Sequence, residues 1–120
     1  MKRDMDLIRK ILLATEDLPY GGQLSKLEGV PEEEFITHAL WLKEAGLIEA
    51  IGQAGSGSYA KHAIVSRLTW QGTEFVSAMR DETLWAKAKK NFIGEGMSFT
   101  LDLLKAYLAA EIAKRFTSGQ

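Results

Sequence analysis

The sequence predicts a mainly α fold with a small β-ribbon (α+β): a winged helix-turn-helix-like domain with additional C-terminal helices. Three observations carry that reading, all between Pro31 and Leu68. Pro31 followed by Glu32, Glu33 and Glu34 suits a helix start, where a missing N–H costs nothing and the positive dipole end favours acids. Phe35, Ala39 and Leu42 then recur at helical spacing until Gly46 supplies a stop. Leu47-Ile48 opens a strand, and Ala63-Ile64-Val65-Ser66-Arg67-Leu68 returns after a Gly/Ser-rich tip.

The 120 residues are 46% hydrophobic, enough for a core without crosslinks. No cysteine is present, which excludes a disulfide framework, a thiolate zinc site and a thiol nucleophile, and fits a cytoplasmic protein. Met1-Lys2-Arg3 leads into Asp4 and Asp6, not into an apolar signal segment, and no stretch reaches a membrane-spanning length. The net charge is −1, so any footprint for nucleic acid must be local.

Taken in order, Asp4 caps a first helix to about Ala14, with Leu7, Ile8, Ile11 and Leu12 inward and Lys2, Arg3, Arg9 and Lys10 in solvent. Thr15 to Gly22 is a connection, marked by Pro19 and Gly21-Gly22. Gln23 to Gly29 reads either as the short helix that a helix-turn-helix requires or as an extended segment; the helix is slightly favoured. The long helix spans Pro31 to Ala45. Leu47–Ile51 and His62–Thr69 form the ribbon, with Gly52 to Ala60 as a loose wing tip. Thr69 caps a helix from Trp70 to Arg80 that buries Trp70, Phe75, Val76 and Met79, with Trp70 and Phe75 packing on Leu42 and Leu47. Asp81 caps a further helix from Thr83 to Phe92, Gly94 and Gly96 break the chain, and Ser98 caps a last helix from Phe99 to Phe116. A domain is therefore expected over residues 1–92. Residues 93–120 carry an amphipathic helix that packs on that domain or on a second chain, through Leu101, Leu104, Leu108, Ile112 and Phe116.

These segments resemble a family of short bacterial and prophage-borne proteins known as domain of unknown function family 2513. The likeness rests on Met1-Lys2-Arg3-Asp4-Met5-Asp6-Leu7-Ile8-Arg9 and on Glu33-Glu34 through His38 to Leu42. It rests further on Glu44-Ala45-Gly46-Leu47-Ile48, Arg67-Leu68-Thr69-Trp70-x-Gly72-x-x-Phe75 and Arg80-Asp81-x-x-x-Trp85-x-Lys87. Thr37 and Ala39 depart from it, where the family carries an aromatic before the histidine and a bulky apolar residue after it. The resemblance implies a winged-helix-like fold and a phage or prophage context. It carries no catalytic residues.

Lys61, His62 and Arg67 on or near the wing, with Arg9 and Lys10 on the first helix, are the expected nucleic-acid contacts. Against them, residues 31–45 hold four glutamates and one lysine, a net −3 where a groove-reading helix would face phosphate. Ile36, Leu40 and Trp41 make that helix apolar nearly all round, so a cover is expected. With Leu104 and Leu108 they are the expected partner-binding residues. His38 and Glu34 share a helix face, but a metal needs a third ligand and none is in view. Gly55-Ser56-Gly57-Ser58 precedes a β-branched run, not the helix that a dinucleotide fingerprint needs. Lys87, Lys89 and Lys90 read as a solvated face.

No catalysis, cofactor, metal or membrane association is expected. The leading expectation is a DNA-associated transcriptional regulator binding double-stranded DNA. The alternative is a protein-protein interaction module that no longer reads DNA. A homodimer through the C-terminal helix is compatible with either.

Overall fold

The structure, a computed structural model, describes residues 1–53, 61–93 and 100–118. It divides into two compact units, Met1–Val76 and Ser77–Gln120. Within the second unit the fourth helix packs with the fifth.

In the first unit, α1 (Met5–Glu16) begins where Asp4 Oδ1 accepts the Leu7 N–H at 3.1 Å. This N-cap satisfies one of the four donors that a helix start leaves open. Leu7, Ile8, Ile11 and Leu12 recur on one face and are buried, each such side chain contributing roughly 1.5–3 kcal/mol. The helix runs past Ala14 to Glu16, with the Thr15 hydroxyl donating to the Ile11 carbonyl at 2.7 Å. It packs on α2 and on the second strand.

Residues 23–30 form no helix. Leu24 exchanges both backbone bonds with Val65, at 2.9 and 2.8 Å, as an isolated antiparallel bridge. The slight preference for a helix over Gln23–Glu28 is thus corrected. Leu24 has a strand to pair with, and a distant partner of that kind leaves no trace in a local period.

The long helix α2 spans Glu32–Glu44 after Pro31. At its end Gly46 N–H donates to Lys43 O (3.0 Å) and Leu47 N–H to Leu42 O (3.1 Å), the paired bonds of a left-handed glycine cap. Gly46 has φ +77°, as that cap requires. β1 (Ile48–Gln53) and β2 (His62–Leu68) pair antiparallel, Ile48 opposite Leu68 and Gln53 opposite His62. The tip residues 54–60 lie outside the described residues.

Thr69 ties this unit together. Its N–H donates to Leu47 O (3.0 Å), its hydroxyl donates to Gly46 O (2.6 Å), and the same oxygen accepts Gly72 N–H (3.0 Å). α3 (Trp70–Met79) thereby starts against the chain leaving α2. Only glycine fits at 72, since a Cβ there would lie 2.0 Å from the Leu47 carbonyl oxygen. Phe75, Val76 and Met79 are buried as expected, but Trp70 is 77% exposed. At roughly 100° per residue, position 70 sits about 140° around the helix from position 75, so one face cannot bury both.

In the second unit α4 (Glu82–Ala88) is capped by Asp81, whose Oδ1 accepts Leu84 N–H at 3.0 Å. A π-helical turn over Lys89–Ile93 follows. Gly94, Gly96 and Ser98 lie outside the described residues. Thr100 Oγ1 accepts Leu103 N–H (3.1 Å) at the start of α5 (Leu101–Ser118). α4 packs on α5, and Leu84, Trp85, Ala88, Leu104 and Leu108 are buried. Glu111 bonds Lys87 on α4 (3.3 Å) and Lys114 on its own helix (3.4 Å). The Lys87 ammonium chiefly holds the Glu111 carboxyl below the usual carboxylate range, Lys114 assisting against partial desolvation. Among the described residues, no helix is long and apolar enough to cross a membrane.

Candidate functional site: the ribbon and its open edge

Strand alternation sends Ile48, Ala50, Ala63, Val65 and Leu68 into the core. The opposite face carries Glu49, Ile51 and Gln53 on β1 and His62, Ile64, Ser66 and Arg67 on β2. A β-bulge separates Glu49 from Ala50: Glu49 faces Arg67 and Ala50 faces Val65, so Ser66 is the extra residue. Both Ser66 and Arg67 consequently lie on the exposed side. Ser66 Oγ donates to Glu49 O at 3.1 Å.

Arg67 grips Glu49 with both ends of its fork. Nε donates to Oε2 (3.0 Å) and Nη2 to Oε1 (2.6 Å), while Nη1 donates to Leu68 O (3.1 Å). Three of its five donors are engaged and its charge is matched across the ribbon. Beside this pair Ile51, 64% exposed, stands opposite half-buried Ile64. A shallow groove of about 390 Å³ runs along this part of the ribbon, lined by Lys43, Ile48, Ala50, Ile51, Ile64 and Ser66.

The sequence-derived cations are dispersed. Lys61 and His62 are exposed and Arg67 is paired. Lys10 is exposed and Arg9 half-buried on α1. Of the partner-facing set, Ile36 is only 4% exposed within the single chain, and Leu40 and Trp41 are half-buried. Leu104 and Leu108 are fully buried within the single chain. Among the described residues of α5, the large apolar side chains left exposed are Leu103 and Phe116, about 140° apart at 3.6 residues per turn.

His38 is 1% exposed and both of its nitrogens are engaged. Nε2 accepts the Asp4 N–H at 2.9 Å, which leaves Nδ1 to donate to Glu34 O at 2.7 Å and sets the tautomer. The ring packs edge-on against Trp41, centroids 5.1 Å apart. His38 is thus a clamp between the cap of α1 and the first turns of α2, and Glu34 meets it through its carbonyl. Among the described residues, no group of three acids or histidines is placed to hold a metal.

A second depression, about 490 Å³, lies where the Thr15–Gln23 connection passes β2; Tyr20, Ser66, Arg67 and Thr73 line it. Sequence reasoning missed Glu49, Ile51 and Ile64 as members of one face. Once Ile48 is inward, a period of two puts Glu49 and Ile51 outward. The pairing of Glu49 with Arg67 depends on the bulge, which no local pattern announces.

Comparison with known proteins agrees with the earlier resemblance. The family model described as "Hypothetical protein (DUF2513)" matches residues 2–98. An uncharacterized protein of Haemophilus influenzae is 35% identical over 114 residues, covering 88% of this chain and 90% of the relative. No solved structure matches. With the family model spanning most of its length, this chain belongs to the DUF2513 family.

Proposed function

We propose that the chain is a non-enzymatic protein-protein interaction module on a winged-helix-like scaffold, docking through the open edge and outer face of the ribbon. The observation that carries this reading is the bidentate pairing of Arg67 with Glu49 beside the apolar pair Ile51 and Ile64. DNA binding draws its strength from cations free to displace counterions from phosphate. Here the wing's arginine is already matched, and α2 would bring Glu32, Glu33 and Glu34, all exposed, towards a polyanion. Residues 23–30 before α2 form a single bridge at Leu24 and then a turn, where a helix-turn-helix has the helix that crosses the DNA backbone. A cytoplasmic setting and a prophage context belong to the same proposal, from the cysteine-free composition and the resemblance.

The rival reading is a DNA-associated regulator touching phosphate through exposed Lys61, His62 and Lys10. Fluorescence anisotropy on a labelled random duplex, at about 50 and 200 mM salt, separates the two. The interaction reading expects no saturable binding at either salt. Binding that weakens with salt, with a slope reduced by about 2 in the Lys10→Ala plus Lys61→Ala double variant, would overturn it.

A further inference from the structure

We infer that β1 pairs with β1 of a second copy of this chain, antiparallel about a two-fold axis at Ile51, to make a continuous four-stranded sheet. This rests on the interaction reading above and names its partner.

The backbone sets the edge. Thr69 N–H bonds Leu47 O, so alternation turns the polar groups of Glu49 toward β2 and those of Ile48 away. Beyond the bulge, Val65 spends its N–H and C=O on Leu24 and so turns them away from β1. Ala50 lies opposite Val65 and must likewise turn its own groups outward, as must Gly52 two residues on. Among the described residues, β1 has a strand partner on one side only. Its six residues contain no proline, lysine or inward charge, the usual devices that blunt an edge.

The register makes this edge self-complementary. With Ile51 opposite the partner's Ile51, Ala50 stands opposite the partner's Gly52, and both have outward-facing groups to exchange. The two isoleucines meet as a close pair without hydrogen bonds between them, the arrangement in which cross-strand side chains approach best. Glu49 is the one charge on the strand, and it falls opposite the neutral Gln53 of the partner. Its charge is already matched by Arg67 in its own chain, so no like charges meet. A neighbouring register, centred on Ala50, would pair Ile51 with the partner's Glu49 instead. Only the six residues of one strand from each copy take part, which puts the contact at the small, transient end of interfaces, with Kd on the order of tens of micromolar.

Sedimentation equilibrium on the full chain tests this, from about 5 to 500 μM, a span that brackets that Kd. The weight-average mass should climb from 13.3 kDa towards twice that value. Ile51→Lys and Ile51→Glu, changes at an exposed side chain that leave the fold intact by circular dichroism, should each weaken association at least tenfold. Mixing the two should restore part of it, because only this register sets 51 against 51. Amide exchange at Ala50 and Gly52 should slow with concentration. A wild type monomeric throughout overturns the pairing, as does a dimer indifferent to Ile51→Lys. DNA binding in the anisotropy assay overturns the interaction reading itself; a monomer that binds no DNA overturns the pairing alone.

Discussion

In the α1–α2 pair, polar groups are answered from within. His38 accepts from Asp4 on one nitrogen and donates to Glu34 on the other, and Asp4 caps α1 with its carboxylate. In the ribbon, β2 has a strand on one flank and the Leu24 bridge on the other, while among the described residues β1 has a strand on one side only. Side-chain charge on the ribbon is settled by Glu49 and Arg67, but a row of backbone groups is not. The contrast separates residues that hold the fold from residues with something left to offer. A buried histidine on a long helix attracts attention as a ligand, yet its valences are spent. The strand that looks plain in sequence keeps its own.

The largest effect should come from the buried core. Phe75→Ala should cost about 3–5 kcal/mol in denaturant titration. A loss below about 1 kcal/mol would contradict its burial at 2% exposure. Next, His38→Phe keeps the ring but removes two part-buried hydrogen bonds, to the Asp4 N–H and to the Glu34 carbonyl, and should cost about 1–3 kcal/mol at roughly 0.5–1.5 kcal/mol each. If it proved neutral, the clamp would be dispensable and the two regions would differ less than their hydrogen bonds imply.

Much of the helical half was legible because its signals are local. Asp4, Gly46, Thr69 and Asp81 each cap or stop a helix within three or four residues, and each does so as read. Pro31 and three glutamates marked the start of α2 correctly. What was misread depends on distant partners. Leu24 is extended because Val65 lies beside it; the pairing of Arg67 with Glu49 next to a bulge was likewise beyond a local reading. Trp70 is exposed because its helical phase opposes Phe75, a geometric point that hydrophobicity alone overrode. Ile36 is buried because the inward arc of α2 is broad, taking in Phe35, Ile36, His38, Ala39 and Leu42.

A smaller effect sharpens the ribbon side. Glu49→Gln should change stability by no more than about 1 kcal/mol, since both partners of the ion pair are more than half exposed. A larger loss, measured by the same titration, would make the pair part of the fold's support. Smallest is the response of Glu111, whose folded-state pKa is lowered, chiefly by Lys87. Its contribution is complete above the usual carboxylate range and is lost as pH falls through the lowered folded-state value. Carbon-detected NMR titration should find that value below the usual range, and Lys87→Met should bring it back up. No change in the variant would assign the lowering elsewhere.

The Leu24 bridge has a consequence for stoichiometry. It occupies the far flank of β2 with a single residue pair, after a connection containing Pro19, Gly21 and Gly22. A strand arriving on that side would find Val65 already engaged and no ladder to extend. Growth of the sheet is thereby stopped at one end and, among the described residues, open at the other. A module with a single live end completes a pair and cannot go on to a filament. Opening the Leu24 pair, by contrast, would turn a terminator into a second connector and give the chain the means to polymerise.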